Sequence, residues 1–95
     1  EKFPDAWVLY IHGGEACVKL KKYDEAIQYF DKAGAIGTPF CDELYCKATL
    51  YEKIGNYKDA YRLYQEIAEK LRKNGYDIQA DMAEESAKRL DMKKE

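Results

Sequence analysis

The side chains best suited to chemistry are one histidine, His12, and three cysteines, Cys17, Cys41 and Cys46. A Cys–His pair could supply a nucleophile and its base, but catalysis would also need an orienting group, and no such motif accompanies these residues. Zinc would need four ligands at short spacings. Cys41 and Cys46 are five positions apart, so on one helix their side chains diverge by about 140°. We therefore expect thiols that act as small apolar residues, with no metal, disulfide, cofactor or enzymatic activity.

The composition is that of a soluble globular chain of 95 residues, with 46% hydrophobic and 36% charged side chains. The net charge of −2 leaves no segment with the basic excess that nucleic acid or an anionic membrane surface would require. No apolar run approaches the roughly 18 residues of a membrane span. The odd number of cysteines favours reduced thiols and hence a cytoplasmic location. Residue 1 is Glu rather than Met, so we expect a longer native protein.

The sequence predicts five helices, which would position these residues. Segments rich in Ala, Leu, Glu and Lys lie between helix-breaking clusters, and their apolar residues recur at spacings of three and four. The predicted helices run from about Pro4 to Leu20, Tyr23 to Ala35, Thr38 to Ile54, Asn56 to Asn74 and Asp77 to Leu90.

Residue types at the predicted helix starts indicate how each start is capped. Pro4 suits the first position of the first helix. Thr38 is expected to cap the third helix, with Pro39 at its first position. Asn56 is expected to cap the fourth helix, with Asp59 in the reciprocal capping position.

A shift of the chain by 34 residues superimposes similar side chains. The matched pairs are Gly14 with Ala48, Leu20 with Ile54, Tyr23 with Tyr57, Glu25 with Asp59, Ala26 with Ala60, and Phe30 with Tyr64. A helix–turn–helix unit that repeats every 34 residues has the period of the tetratricopeptide repeat. Over about residues 7 to 74 the chain resembles that family, although Tyr10 and Leu44 stand where its tryptophan is usual.

The resemblance implies an all-α fold of two TPR-type helix-turn-helix hairpins plus a C-terminal capping helix, arranged as a right-handed α-solenoid. We expect one TPR domain over residues 1–95, with repeat 1 at about 7–40, repeat 2 at about 41–74 and the capping helix at about 76–92. Glycine and alanine at the matched positions would let paired helices approach closely, while Phe30 and Tyr64 fill the space beside them. The capping helix is expected to cover its neighbour with Ile78, Met82 and Leu90.

The resemblance also implies a concave groove lined by the first helix of each hairpin. Carried over by position, the candidate ligand-binding residues are Val8, Ile11, His12, Glu15, Lys19, Asp42, Tyr45, Cys46, Thr49 and Lys53. The last helix could add Tyr76, Gln79 and Ala83. Within each hairpin these positions share one helix face. A basic partner is expected because Glu15 and Asp42 would repel a carboxylate.

Two functions from different classes fit these features. The first is a protein–protein interaction module that binds a peptide or helix in the groove, with Tyr45 as its chief anchor. The second is a structural segment of a longer helical solenoid or a self-associating scaffold, joined through Phe3, Trp7 and Ile11 on the first helix.

Overall fold

The computed structural model describes residues 6–93, with side chains as far as Asp91. Its five helices are α1 (Ala6–Lys19), α2 (Tyr23–Ile36), α3 (Asp42–Lys53), α4 (Tyr57–Lys73) and α5 (Asp77–Lys93). Over this range there is no strand, so the predicted all-α class is confirmed. None of the five helices is both long and apolar enough to cross a membrane. The predicted roles of Phe3 and Pro4 lie outside the described residues.

The chain forms two compact units, Glu1–Cys46 and Lys47–Glu95. The first unit contains α1, α2 and the beginning of α3, and the second contains the remainder of α3 with α4 and α5. The single-domain organisation, with its two repeats and capping helix, stays a prediction.

In the first unit, α1 and α2 pack together where α1 has no side chain. A Cβ atom built on Gly14 would lie 2.4 Å from Cε1 of Phe30, so the ring occupies the space that a side chain would need. Phe30 is buried, as are Ala26 and Ala33 on the same face of α2. The close approach expected from the repeat is thus present in this hairpin.

An aromatic pair extends this contact toward the surface of the first unit. Tyr10 of α1 and Tyr29 of α2 have ring centroids 6.3 Å apart in a tilted arrangement. The ammonium of Lys32 lies 5.8 Å from the centroid of Tyr10 and 6.0 Å from that of Tyr29, which is cation–π distance. Tyr10, which replaces the tryptophan of the family pattern, therefore keeps an aromatic role between the two helices.

In the second unit, α4 supplies the main apolar face. Its buried residues recur at helical spacing and are Ala60, Tyr64, Ile67, Ala68 and Leu71. Ala48 and Leu50 of α3 are also buried. Because Ala60 is fully buried, the second repeat has the same small residue in its core that Ala26 provides in the first.

The packing face predicted for α5 is wrong. The buried residues of this helix are Ala80, Ala83, Ala87 and Leu90, whereas Ile78 and Met82 are 75% and 57% exposed. Only Leu90 of the predicted stripe belongs to the core. Ile78 and Met82 are therefore exposed, and three alanines with Leu90 form the buried face of α5.

The turn before α5 explains why alanines are buried in place of Ile78 and Met82. This turn is of the same kind as the turns inside the two hairpins. Tyr76 N–H donates to the Leu71 carbonyl at 2.8 Å, and Gly75 N–H donates to the Arg72 carbonyl at 3.1 Å. Gly75 has φ +88°, so this is a Schellman motif. It positions α5 as the second helix of a tight hairpin with α4.

The same motif ends α1 and α3. Lys22 N–H donates to the Cys17 carbonyl and Asn56 N–H donates to the Tyr51 carbonyl, each at 2.8 Å. The left-handed residues of the three turns are Lys21, Gly55 and Gly75, and the fully buried alanines Ala26, Ala60 and Ala80 each follow five positions later. The turn thus fixes which residue of the next helix enters the core.

The caps predicted for α3 and α4 are also wrong. The third helix begins at Asp42, so Pro39 is not its first residue, and Cys41 precedes it with φ +58°. Thr38 acts from further back: its hydroxyl accepts the Asp42 N–H at 3.0 Å and donates to Oε1 of Glu43 at 2.6 Å.

At the start of α4, the Asn56 side chain makes no backbone cap. It donates to Oδ2 of Asp59 at 2.7 Å instead. Two polar side chains thus satisfy one another, where the capping box would have bonded each of them to the backbone.

The contact at Gly14 predicts a difference between two adjacent substitutions. Gly13→Ala and Gly14→Ala both gain roughly 1 kcal/mol of helix propensity. Gly14→Ala must also displace the buried Phe30 ring, which costs about 1–3 kcal/mol. At Gly13 the new methyl meets Tyr29 at 3.0 Å, and that ring is 37% exposed and can shift.

Thermal melts of the two variants should therefore differ, with Gly14→Ala less stable than Gly13→Ala by about 2 kcal/mol, or roughly 8 °C in Tm. Equal melting temperatures would show that α1 and α2 are not in contact at Gly14.

The turn after α1 predicts a stabilising substitution. Lys21 has φ +63°, where a side chain is disfavoured, and the equivalent residue in the next repeat is Gly55. Lys21→Gly should raise the free energy of unfolding by about 0.5–1 kcal/mol in denaturant titrations. Lys22→Gly removes the same charge at φ −95° and should lower it. A stability loss in both variants would contradict the assigned turn.

Candidate functional site

The five candidates on α1 do not share one environment. His12, Glu15 and Lys19 are exposed, Val8 is half-buried and Ile11 is buried. Ile11 is therefore part of the core rather than a ligand contact or a joining surface. One exposed face of α1 is polar and carries His12, Glu15 and Lys19 at spacings of three and four.

Three of the candidates on α3, Asp42, Tyr45 and Cys46, belong to the first unit and are half-buried. Burial raises the pKa of the Tyr45 phenol. It also raises the pKa of the Asp42 carboxyl, to which the neighbouring charge of Glu43 adds. The beginning of α3 is thus a partly desolvated surface that carries acidic groups.

Cys46 shows that the beginning of α3 and the polar face of α1 lie together in the first unit. Burial, and in decreasing order the negative charges of Glu15, Asp42 and Glu43, together raise the pKa of its thiol to about 12. Glu15 is on α1, so its carboxylate lies within electrostatic range of the Cys46 thiol. Three carboxylates around one half-buried thiol create a region of negative potential.

The electrostatics of Cys46 are the opposite of those of a catalytic cysteine. A reactive thiol needs a lowered pKa, supplied by a cation or a helix N-terminus, whereas this thiol is protonated at neutral pH. The folded protein also binds this proton more tightly than the unfolded chain does. The stability that this adds is complete below the ordinary pKa of 9.0 and is lost as the pH rises toward 12.

The segment that precedes α3 fixes its first turn. Thr38 bonds both the Asp42 N–H and the Glu43 carboxylate, and Tyr45 N–H donates to the Cys41 carbonyl at 3.0 Å. A Cβ atom on Gly34 of α2 would lie 2.9 Å from Cγ of Glu43, so α2 and α3 approach closely here. Glu43 was not among the predicted site residues, although its place beside Asp42 in an acidic first turn was visible.

The remaining candidates on α3, Thr49 and Lys53, are exposed and belong to the second unit. Thr49 hydrogen-bonds the Tyr64 phenol, which opposes the rise in the Tyr64 pKa caused mainly by burial. The Tyr64 hydroxyl donates to Oε1 of Glu52 at 3.3 Å, and the Arg89 guanidinium donates to both oxygens of Glu52. This network connects α3, α4 and α5. It could not be predicted from the sequence, because Glu52 and Arg89 are 37 positions apart.

The residues that α5 was expected to contribute separate into two groups. Tyr76 and Gln79 are exposed, but Ala83 is fully buried and is not available to a ligand. Ala83 is buried for the same reason that Ile78 and Met82 are exposed. The hairpin turn at Gly75 directs Ala83 toward the core.

These observations define a class of protein: helical hairpins with small residues at the helix contacts, closed by a shared turn. A family model of the tetratricopeptide repeat matches residues 47–75. Over these residues of the second hairpin the chain is similar to the tetratricopeptide repeat, which supports the resemblance noted in the sequence. No curated protein and no solved structure matches the chain. A tetratricopeptide repeat indicates, in general terms, a module for protein–protein interaction.

The environment of Cys46 can be tested by its reactivity. With a pKa of about 12, its thiolate fraction at pH 8 is about 10⁻⁴, so alkylation should be over a hundredfold slower than in the denatured chain. Glu15→Gln removes one of the three nearby charges and should accelerate the reaction several-fold. The measurement is mass spectrometry of the Cys46 peptide after timed alkylation.

Glu25→Gln is the matched control, because this carboxylate lies near the Cys17 thiol, at 4.0 Å, and is not among the charges that act on Cys46. Equal rates for wild type and Glu15→Gln would mean that Glu15 and Cys46 are not neighbours.

Proposed function

We propose that the protein binds a basic peptide or helix on the surface formed in the first unit by α1 and the beginning of α3. The observation that supports this proposal is the negative potential at Cys46, to which Glu15, Asp42 and Glu43 all contribute. We call these three residues the acidic cluster. A cationic side chain in this region would be attracted by all three carboxylates at once.

The acidic cluster is suited to recognition because part of it is withdrawn from water. Asp42 and Glu43 are half-buried, so their charges are less screened than those of fully exposed side chains. Thr38 and the close contact at Gly34 hold Glu43 in place before a ligand arrives. A preorganised site loses little conformational entropy on binding, which improves affinity.

Tyr45 provides the apolar part of this surface. Its ring is half-buried beside Asp42 and Cys46 on the same helix. A tyrosine that is already partly fixed offers contact area at small entropic cost, which is why tyrosine is frequent among binding hot spots. The partner that fits combines a Lys or Arg with an apolar residue about one helical turn away. His12 and Lys19 of α1 lie on the same polar face as Glu15 and would contact the edges of such a partner.

Reduced thiols in a cytoplasmic setting are part of this proposal. Cys17 is buried and Cys46 is half-buried, both as free thiols, and they fill space as small apolar residues do.

The experiment uses two fluorescent peptides of equal length, one of Lys and Leu and one of Glu and Leu, each arranged as an amphipathic helix. Fluorescence anisotropy should show binding of the Lys peptide and not of the Glu peptide. The double variant Glu15→Gln/Asp42→Asn should weaken binding of the Lys peptide about tenfold at low salt, and less at high salt. Tyr45→Ala should cost roughly 2 kcal/mol of affinity in the folded fraction.

Because Tyr45 is half-buried, Tyr45→Ala will also lower stability, so thermal melts must accompany the titration. The charge variant keeps side-chain shape and avoids this difficulty. Asp24→Asn/Glu25→Gln makes the same change of net charge in the first turn of α2 and is the control. Equal weakening by both double variants, or equal binding of the two peptides, would refute the proposal.

A further inference from the structure

The first helix has a second exposed face, separate from the acidic cluster and from the core. Leu9 and Leu20 are 73% and 66% exposed. Gly13 and Ala16 lie between them, so the four residues follow the spacing i, i+4, i+7, i+11 of one helix face. Two leucines this exposed on one face form an apolar strip about three turns long, which we call the α1 strip.

The repeat shows what kind of element covers such a strip. Thirty-four residues later the equivalent position of Leu9 is Glu43 on α3. There, α2 packs against the helix so closely that a Cβ on Gly34 would meet the Glu43 side chain at 2.9 Å. The corresponding face of α3 thus receives a helix, which makes a helix the natural occupant of the α1 strip.

The last helix carries an apolar face of matching kind. Ile78 and Met82 are one turn apart on α5 and point away from its alanine core face. Tyr76, at 40% exposure, stands at the start of the same helix. We call Ile78 and Met82 the α5 strip.

Charges beside the two strips are of opposite sign. At the end of α1 and in the turn beyond it, the exposed residues Lys19, Lys21 and Lys22 surround Leu20. Residues 77–85 of α5, which include the α5 strip, carry four carboxylates and no lysine or arginine. The carboxylates are Asp77, Asp81, Glu84 and Glu85, and Arg72 of α4 pairs with the first three of them. Four carboxylates against one guanidinium leave an excess of negative charge next to the α5 strip.

We infer that the α1 strip of one molecule binds the α5 strip of a second copy, head to tail. The apolar faces provide the contact, and the lysines of α1 opposite the carboxylates of α5 fix its direction. Such an interface joins two different surfaces, so it leaves one strip free at each end and permits further addition. A contact of one helix on another is small, and the association is expected to be weak and concentration-dependent.

The test is sedimentation equilibrium of the full chain at several concentrations. Wild type should show an average mass that increases with concentration and decreases when salt is added. Leu20→Glu destroys only the α1 strip and Met82→Glu only the α5 strip, so each variant alone should remain monomeric. An equimolar mixture of the two should associate and stop at a dimer, because one intact strip of each kind is present.

Both substitutions are at exposed sites, and circular dichroism melts will establish that the variants are folded. Ile36→Glu places the same charge at another exposed apolar residue outside both strips and should leave association unchanged. A wild type that is monomeric at every concentration would overturn the inference. So would self-association of either single variant, or a mixture that fails to associate.

Discussion

The structure depends on the distance at which paired helices meet. Gly14 leaves room for the Phe30 ring, and the fully buried Ala26, Ala60 and Ala80 occupy the same place after each of three turns. Close approach at small residues allows large side chains such as Phe30 and Tyr64 to fill the adjacent space. A chain of 95 residues buries a modest fraction of its surface, so its stability requires these few contacts to be well packed.

Polar interactions then differentiate the two units. In the second unit the Glu52 carboxylate is satisfied by Tyr64 and Arg89, so its charge is compensated within the fold. In the first unit Glu15, Asp42 and Glu43 stand around Cys46, and the effect on the thiol shows that their summed charge is negative. The contact in the second unit joins three helices, and the surface in the first unit is the one that we propose for recognition of a cation.

Much of this could be predicted from the sequence, because the 34-residue period reports the packing of hairpins directly. It located Ala26, Phe30, Ala60 and Tyr64 in the core. It misled at α5, because the chain passes Gly75 through a hairpin turn and not through a longer connection such as the one between Ile36 and Asp42. Continuing the 34-residue register beyond that glycine assigned the buried Ala83 to the groove. Ile78 and Met82 were assigned to the packing face by their apolar character, and both are exposed.

Local residue preferences were a weaker guide than the period. Thr38 and Pro39 have the right types for a helix start, yet Thr38 bonds Asp42 and Glu43 from four and five residues away. Asn56 has a side chain suited to capping, but it hydrogen-bonds the Asp59 carboxylate instead. Ile11 is buried although its neighbours His12 and Glu15 are exposed, since it lies at the edge of the polar face. These outcomes depend on tertiary contacts that spacing along one helix does not encode.

The most direct measurement is the nuclear Overhauser effect between the Phe30 ring and the Gly14 α-protons in the folded chain. If the helices meet as described, these protons should show strong cross-peaks to the ring and a marked ring-current shift that disappears on denaturation. Gly13, one residue away, should show cross-peaks to Tyr29 instead. Gly14 α-protons with random-coil shifts and no cross-peak to Phe30 would contradict the close approach on which the fold, and the surfaces built on it, depend.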